Sequence, residues 1–158
     1  MSAPRIAVID DDRSWREALS EYLARKGFCV YTAADPAEGL ALLRENSIPL
    51  VVCDYDMPGM DGLEVVRTLR KERAQVAILM VSNQEEPTLA NRAMAEGARG
   101  FLPKTTSPMQ LLRKLRQILV DLDTDRLRTS RLQLWQRLLP SPKNPQCSRR
   151  KGPQRRSA

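Results

Sequence analysis

The sequence predicts an α/β fold, an open and mostly parallel sheet of five strands with helices on both faces. Three observations predict it: five short apolar runs recur along the first 123 residues, each is followed by apolar residues at helical spacing, and the connections are short. A strand buried on both faces reads as a continuous apolar run, and strand–helix alternation with short loops is the pattern of a parallel sheet covered by its crossover helices.

The first run is Ile6-Ala7-Val8-Ile9. Trp15, Ala18, Leu19, Tyr22 and Leu23 then recur at helical spacing, and Gly27 ends that helix. Phe28 to Thr32 reads as the second strand. Asp35-Pro36-Ala37-Glu38 supplies an N-cap, a proline at the first helical position and an acid at N3, opening a helix with Ala37, Leu40, Ala41 and Leu43 that runs toward Asn46. Leu50 to Cys53 is the third strand, and Leu63, Val66 and Leu69 mark the helix beyond its loop. Val76 to Val81 is the fourth; a helix from Pro87 to Glu96 follows, stopped by Gly97. Arg99 to Leu102 is a short fifth strand. Ser107-Pro108-Met109-Gln110 repeats the capping pattern before a helix bearing Leu111, Leu112, Leu115, Ile118, Leu119 and Leu122.

Composition narrows the chemistry. The chain contains no histidine, which excludes a Ser/His/Asp triad, histidine metal sites and a phosphohistidine made on this chain. No apolar run approaches the roughly 20 residues that span a bilayer, and the opening Met1-Ser2-Ala3-Pro4-Arg5 lacks a signal peptide's apolar stretch, so a cytoplasmic location is expected. Of the cysteines Cys29, Cys53 and Cys147, the first two sit in apolar runs and are expected to be buried free thiols.

Charge divides the chain near residue 123. Residues 1–123 hold 16 Lys/Arg and 18 Asp/Glu and sum to −2, whereas residues 124–158 hold ten basic residues and one acid, Asp125, and sum to +9. Pro140, Pro142, Pro145 and Pro153 also fall in the second segment, which reads as a basic tail. Leu127, Leu134, Trp135 and Leu138 suggest a short apolar helical stripe to about residue 139, extending the last helix or docking on a partner. Disorder is expected beyond it, through Arg149-Arg150-Lys151 and Arg155-Arg156. About 35 residues are too few for an independent output domain. A solvated basic tail and a weak anionic partner (nucleic acid, membrane or acidic protein) are both open.

In an open parallel sheet, chemistry is expected beyond the carboxyl ends of the strands, near the topological switch point. Asp10-Asp11-Asp12 follow the first strand, Asp54-Tyr55-Asp56 the third, Ser82 the fourth, and Lys104 lies just past the fifth. Acids, a hydroxyl and a lysine thus occupy four of the five strand ends. A row of solvated loops explains one such residue, not this distribution.

These residues resemble the receiver domain of bacterial two-component response regulators. The resemblance rests on Val8-Ile-Asp-Asp-Asp12, Asp54-x-Asp-Met-Pro-Gly-Met-Asp-Gly62, Ser82 and Gly100-Phe-Leu-Pro-Lys104, in order, and covers roughly residues 4–122. It implies a receiver domain over residues 1–123 with a flavodoxin-like (βα)5 sheet in strand order 2-1-3-4-5. It further implies that Asp54 takes a phosphoryl group from a phosphohistidine on a sensor histidine kinase or phosphotransfer protein. Asp11 and Asp54 would hold Mg²⁺ through side chains, Asp56 through its backbone carbonyl and Asp10 through water. Lys104 would give a fixed positive charge and Ser82 a hydroxyl donor to the phosphoryl oxygens. A carboxylate, ionised at neutral pH, needs no base for such an attack. The movement of Ser82, coupled to Phe101, would present a new surface on the fourth helix, fifth strand and fifth helix to a downstream protein. An ordinary half-buried strand aromatic is an equal reading of Phe101. The resemblance implies signalling by self-phosphorylation and self-dephosphorylation, not an enzyme acting on other substrates.

Asp12 reads as a cap for the first helix rather than a metal ligand, and Pro58-Gly59 as a turn. Thr105 stands where many receivers have proline, so a trans bond after Lys104 is expected, since a cis bond without proline costs about 3 kcal/mol. Asn83-Gln84, with Asp56, are placed to influence water access. Two other functions stay in view. Asp54-x-Asp56 also resembles the acid pair of haloacid dehalogenase-type phosphatases, although that family has the pair after its first strand and followed by Gly-Thr. Nucleic-acid binding through the tail is compatible with the receiver reading.

Overall fold

A computed structural model describes residues 2–72 and 74–138, apart from the side chains of Trp135 and Leu138. The strands are β1 (Arg5–Ile9), β2 (Cys29–Ala33), β3 (Leu50–Asp54), β4 (Ala77–Ser82) and β5 (Gly100–Pro103). The helices are α1 (Arg13–Arg25), α2 (Pro36–Asn46), α3 (Gly62–Lys71), α4 (Pro87–Glu96) and α5 (Pro108–Leu138). All strand pairs are parallel, in the order β2-β1-β3-β4-β5, the flavodoxin-like arrangement. The order reverses at β1, so β1 and β3 flank the switch point.

Successive side chains of a strand point to opposite faces, and the two cores follow this alternation. Ala7, Ile9, Val51, Cys53, Ile78 and Met80 pack with Leu40 and Leu43 of α2, Leu63, Val66 and Leu69 of α3, and Ala93 of α4. Ile6, Val8, Leu50, Val52, Leu79 and Val81 face the other way, against Leu19 and Leu23 of α1 and Leu111, Leu112, Leu115 and Ile118 of α5. Both faces of β1, β3 and β4 are therefore covered, which is why their sequences are unbroken apolar runs.

The caps act where the sequence places them. Asp12 accepts from the Trp15 amide at 3.1 Å, Asp35 from the Glu38 amide at 2.9 Å, and Ser107 Oγ from the Gln110 amide at 3.3 Å. Asp61 and Glu64 form a reciprocal capping box on α3. Gly97 closes α4 in the left-handed region at φ +114°.

Several expectations need correction. Cys29 is exposed, not buried, because β2 is an edge strand whose first residue no helix covers; Cys53 is buried and free as expected. The burial that makes the Cys53 thiol inert also drives its pKa upward, helped by the charge of Asp54. Ala18 and Ala37 face solvent, and α2 is seated instead by Pro36, Gly39, Leu40 and Leu43. Strands two, four and five each start and end one residue later than their apolar runs. Phe28, outside the ladder, plugs the core beside Leu23.

Residues up to Thr124 form one compact unit and Asp125 begins a second. Helix α5 does not stop at the charge boundary, since no Gly or Pro interrupts residues 109–138. In the second unit Leu127, Leu132 and Leu134 are exposed. The stripe's Trp135 and Leu138 side chains, the prolines from Pro140 onward, Cys147 and the arginine clusters of the tail lie outside the described residues. No described helix is long and apolar enough to cross a membrane.

Gly62, the first residue of α3, packs directly beneath the end of β3. A Cβ there would lie 2.5 Å from the backbone oxygen of Asp54 and 2.5 Å from the Met80 methyl. Gly62→Ala is expected to lower stability by roughly 1–3 kcal/mol, the usual cost of overpacking. A urea unfolding midpoint equal to that of the wild type would contradict this reading of the close approach.

Candidate functional site: a buried lysine among strand-end carboxylates

Asp54 and Ser82 are the last residues of β3 and β4, while Asp10 and Lys104 are the first beyond β1 and β5. Parallel strands bring these ends to one rim, and backbone bonds fix their depth. The Asp10 amide donates to Ala33 O at 3.1 Å, the Tyr55 amide to Val81 O at 2.8 Å, and the Lys104 amide to Ser82 O at 2.8 Å.

The Lys104 ammonium is 2.7 Å from Asp10 Oδ2 and 3.2 Å from Asp54 Oδ2. All three groups are buried, with side-chain exposures of 6% for Lys104, 0% for Asp10 and 3% for Asp54. The remaining oxygens are held by backbone: the Asp12 amide donates to Asp10 Oδ1 at 2.8 Å, and the Asp56 amide to Asp54 Oδ1 at 3.3 Å. Asp10 Oδ2 has no partner besides the ammonium.

Burial and mutual repulsion set the ionisation. Desolvation, then the charge of Asp10, push the Asp54 carboxyl up to about 7, and Lys104 only partly offsets this. Asp10 is raised too, chiefly by burial, against the hydrogen bond from Lys104. Burial works against the Lys104 charge, but Asp10 and Asp54 together hold its pKa above the ordinary lysine value. The Asp54 carboxyl is therefore harder to ionise than a free one.

Asp10, Asp11 and Asp54 each offer an oxygen within 4.8 Å of the others, with Asp11 on the solvent side. Hard oxygen donors, an Asp10 oxygen with one partner, and the buried neighbouring carboxylates of Asp10 and Asp54 all fit a hard divalent cation. Asp56 is outside this triad, with its side chain turned aside. It accepts from Ser82 Oγ at 3.2 Å and from Gln84 Nε2 at 3.1 Å, while the Gln84 amide donates to Ser82 Oγ at 2.9 Å. The Ser82 hydroxyl is thus held by Asp56 and Gln84. Phe101 is half-buried on β5 against the core under α3 and α4. Among the described residues no peptide bond is cis, the one after Lys104 included, and Thr105 Oγ1 donates to Glu85 at 2.9 Å.

Sequence reading placed Trp15 in the α1 core; its ring lies over Lys104, with Nζ 4.8 Å from the centroid. The available signal was its place in the first turn of the helix that leaves the Asp10-Asp11-Asp12 strand end.

Because the folded pKa of Asp54 stands above 3.8, the folded protein binds more protons than the unfolded chain between that value and about 7. The metal-free protein should therefore lose stability as pH rises through this window, by roughly 1–3 kcal/mol between about pH 5 and about pH 8. Asp54→Asn should flatten that slope and stabilise the metal-free protein at the higher pH. Parallel pH–stability curves for wild type and variant would contradict the assignment.

Residues 6–116 match the family model described as response regulator receiver domain. Among curated proteins, a response regulator MprA from Mycobacterium sp. (strain KMS) is 37% identical over 115 residues, covering 73% of this chain and 50% of that protein. The chain thus matches only about half the length of these curated relatives. Among solved structures, the Vibrio cholerae chemotaxis protein CheY4 aligns with a TM-score of 0.69 at 31% identity, over 73% of this chain and 98% of that one. A CheY-like receiver domain protein from Methanospirillum hungatei JF-1 gives 0.74 at 27% identity, over 78% and 99%. With its sheet order, its strand-end site and these matches, the chain belongs to the response regulator receiver domain family of two-component signalling.

Proposed function

We propose that Asp54 is the phosphoacceptor of a phosphorelay, receiving its phosphoryl group from a phosphohistidine on a histidine kinase or phosphotransfer partner. The observation that carries this reading is the buried Asp54 carboxylate at the end of a central strand, 3.2 Å from a buried ammonium and within the acidic cluster. In the transfer, an Asp54 oxygen forms a bond to phosphorus as the P–N bond of the donor breaks, and the bonding pair leaves on the imidazole nitrogen. This chemistry needs alignment and charge neutralisation more than proton transfer.

Mg²⁺ held by Asp10, Asp11 and Asp54, with the Asp56 carbonyl, would supply the positive charge that lets an anionic phosphoryl group approach these acids. Lys104 is poised to exchange its contact with Asp10 for one with a phosphoryl oxygen, since both are anionic acceptors within reach of one flexible ammonium. Ser82 must leave Asp56 to donate to the phosphoryl group, which makes its present contacts the resting half of a switch. Phe101, on the edge strand β5 that pairs with β4, would follow that movement and alter the α4–β5–α5 surface for a downstream protein. The basic tail's anionic partner remains a separate proposal, resting on the sum of +9 over residues 124–158.

Incubation with Mg²⁺ and acetyl phosphate, followed by intact mass measurement, should add one labile phosphoryl group to wild type and none to Asp54→Asn. Lys104→Met should reduce the rate by roughly 10²-fold or more, as loss of a preorganised charge does. An adduct on Asp54→Asn equal to the wild type's would overturn the assignment.

A further inference from the structure

The Lys104 ammonium has three N–H donors and two carboxylate partners, and its third neighbour is aromatic. Nζ lies 4.8 Å from the Trp15 ring centroid, while the lysine side chain is only 6% exposed. A ring face attracts a cation through its quadrupole, most strongly for Trp and most strongly where water is excluded. The placement of the ring is built in. Asp12 Oδ1 accepts from the Trp15 amide at 3.1 Å, and the Asp12 amide donates to Asp10 Oδ1 at 2.8 Å. One capping residue therefore ties the Trp15 backbone to the same carboxylate that holds the ammonium. On the following residue, Arg16 Nη1 donates to Asp10 O at 2.6 Å, which fixes the first turn of α1 against the rim. Trp15 itself is half-buried, packed against the α1–α5 core.

We propose that Trp15 is a positioning residue of the phosphoacceptor site: its ring face holds the Lys104 ammonium at the Asp54 carboxylate and screens it from water. The inference rests on the phosphoacceptor reading of Asp54 and goes beyond it, because it assigns control of the lysine to a residue on α1. Lys104 must move between Asp10 and a phosphoryl oxygen, and the ring supports the ammonium at a contact that neither position removes. Without the ring, the ammonium gains water and conformational freedom, and the site loses preorganised charge at the moment of transfer. An apolar residue of similar bulk fills the space but supplies no quadrupole.

The test uses the full chain carrying Trp135→Phe, so that Trp15 is the single tryptophan. Trp15→Leu should slow phosphorylation by acetyl phosphate about fivefold to tenfold, Trp15→Phe should restore most of the rate, and Mg²⁺ affinity should stay within about twofold for both. Separately, in the metal-free protein, Lys104→Met should change the emission of Trp15, because it removes a cation from the ring face. Trp15→Leu at the parent rate, or Trp15 emission indifferent to Lys104→Met, would overturn the proposal. Absence of phosphorylation in every variant and the parent alike, with the emission change present, would instead overturn the reading of Asp54.

Discussion

The Lys104 ammonium lies between two carboxylates that burial would otherwise drive to protonate, and the carboxyl rim of the sheet is organised around it. An isolated buried charge costs several kcal/mol, and a buried pair breaks even only where geometry and further hydrogen bonds are good. Here backbone amides satisfy the outer oxygens of Asp10 and Asp54 while the lysine faces their inner ones. Two anions and one cation still leave an excess of negative charge. That excess of negative charge is consistent with a site for a further cation.

The structure around that charge is held through the backbone. The rim is made of strand ends joined by backbone bonds, and Gly62 lets α3 approach Asp54 within a distance that no side chain tolerates. Asp12 caps α1 through its side chain and supports Asp10 through its backbone amide. The Ser82 hydroxyl, by contrast, is held by the Asp56 side chain and by an amide of the loop before α4. The strand-end backbone is bonded through the sheet, whereas the Ser82 hydroxyl is bonded to exposed residues.

Much of this was legible in the sequence because a parallel sheet starts and ends its strands together. Five apolar runs located the rim, and Asp10, Asp54, Ser82 and Lys104 stood at its positions. Less legible was whatever depends on the third dimension. Cys29 reads as buried in an apolar run, yet edge position exposes it. Trp15 reads as core at helical spacing, and only the convergence of β1, α1 and β5 places it over Lys104. The raised pKa of Asp54 comes first from burial and then from Asp10, 44 positions away in the chain, neither of which spacing discloses. Helix α5 passes the charge boundary because charge composition sets solubility and partners, whereas helix continuation depends on the absence of Gly and Pro.

The dependence of the rim on one ammonium is open to direct measurement by a double-mutant cycle on Asp10 and Lys104 in the metal-free protein. Urea unfolding of wild type, Asp10→Asn, Lys104→Met and the double variant isolates the pair's interaction from the cost of each substitution. The ion pair as described predicts a coupling of about 1–3 kcal/mol at neutral pH, with the double variant more stable than the sum of the single losses implies. Strictly additive losses would show that the two buried groups do not depend on each other, and would contradict the account of the site built on them.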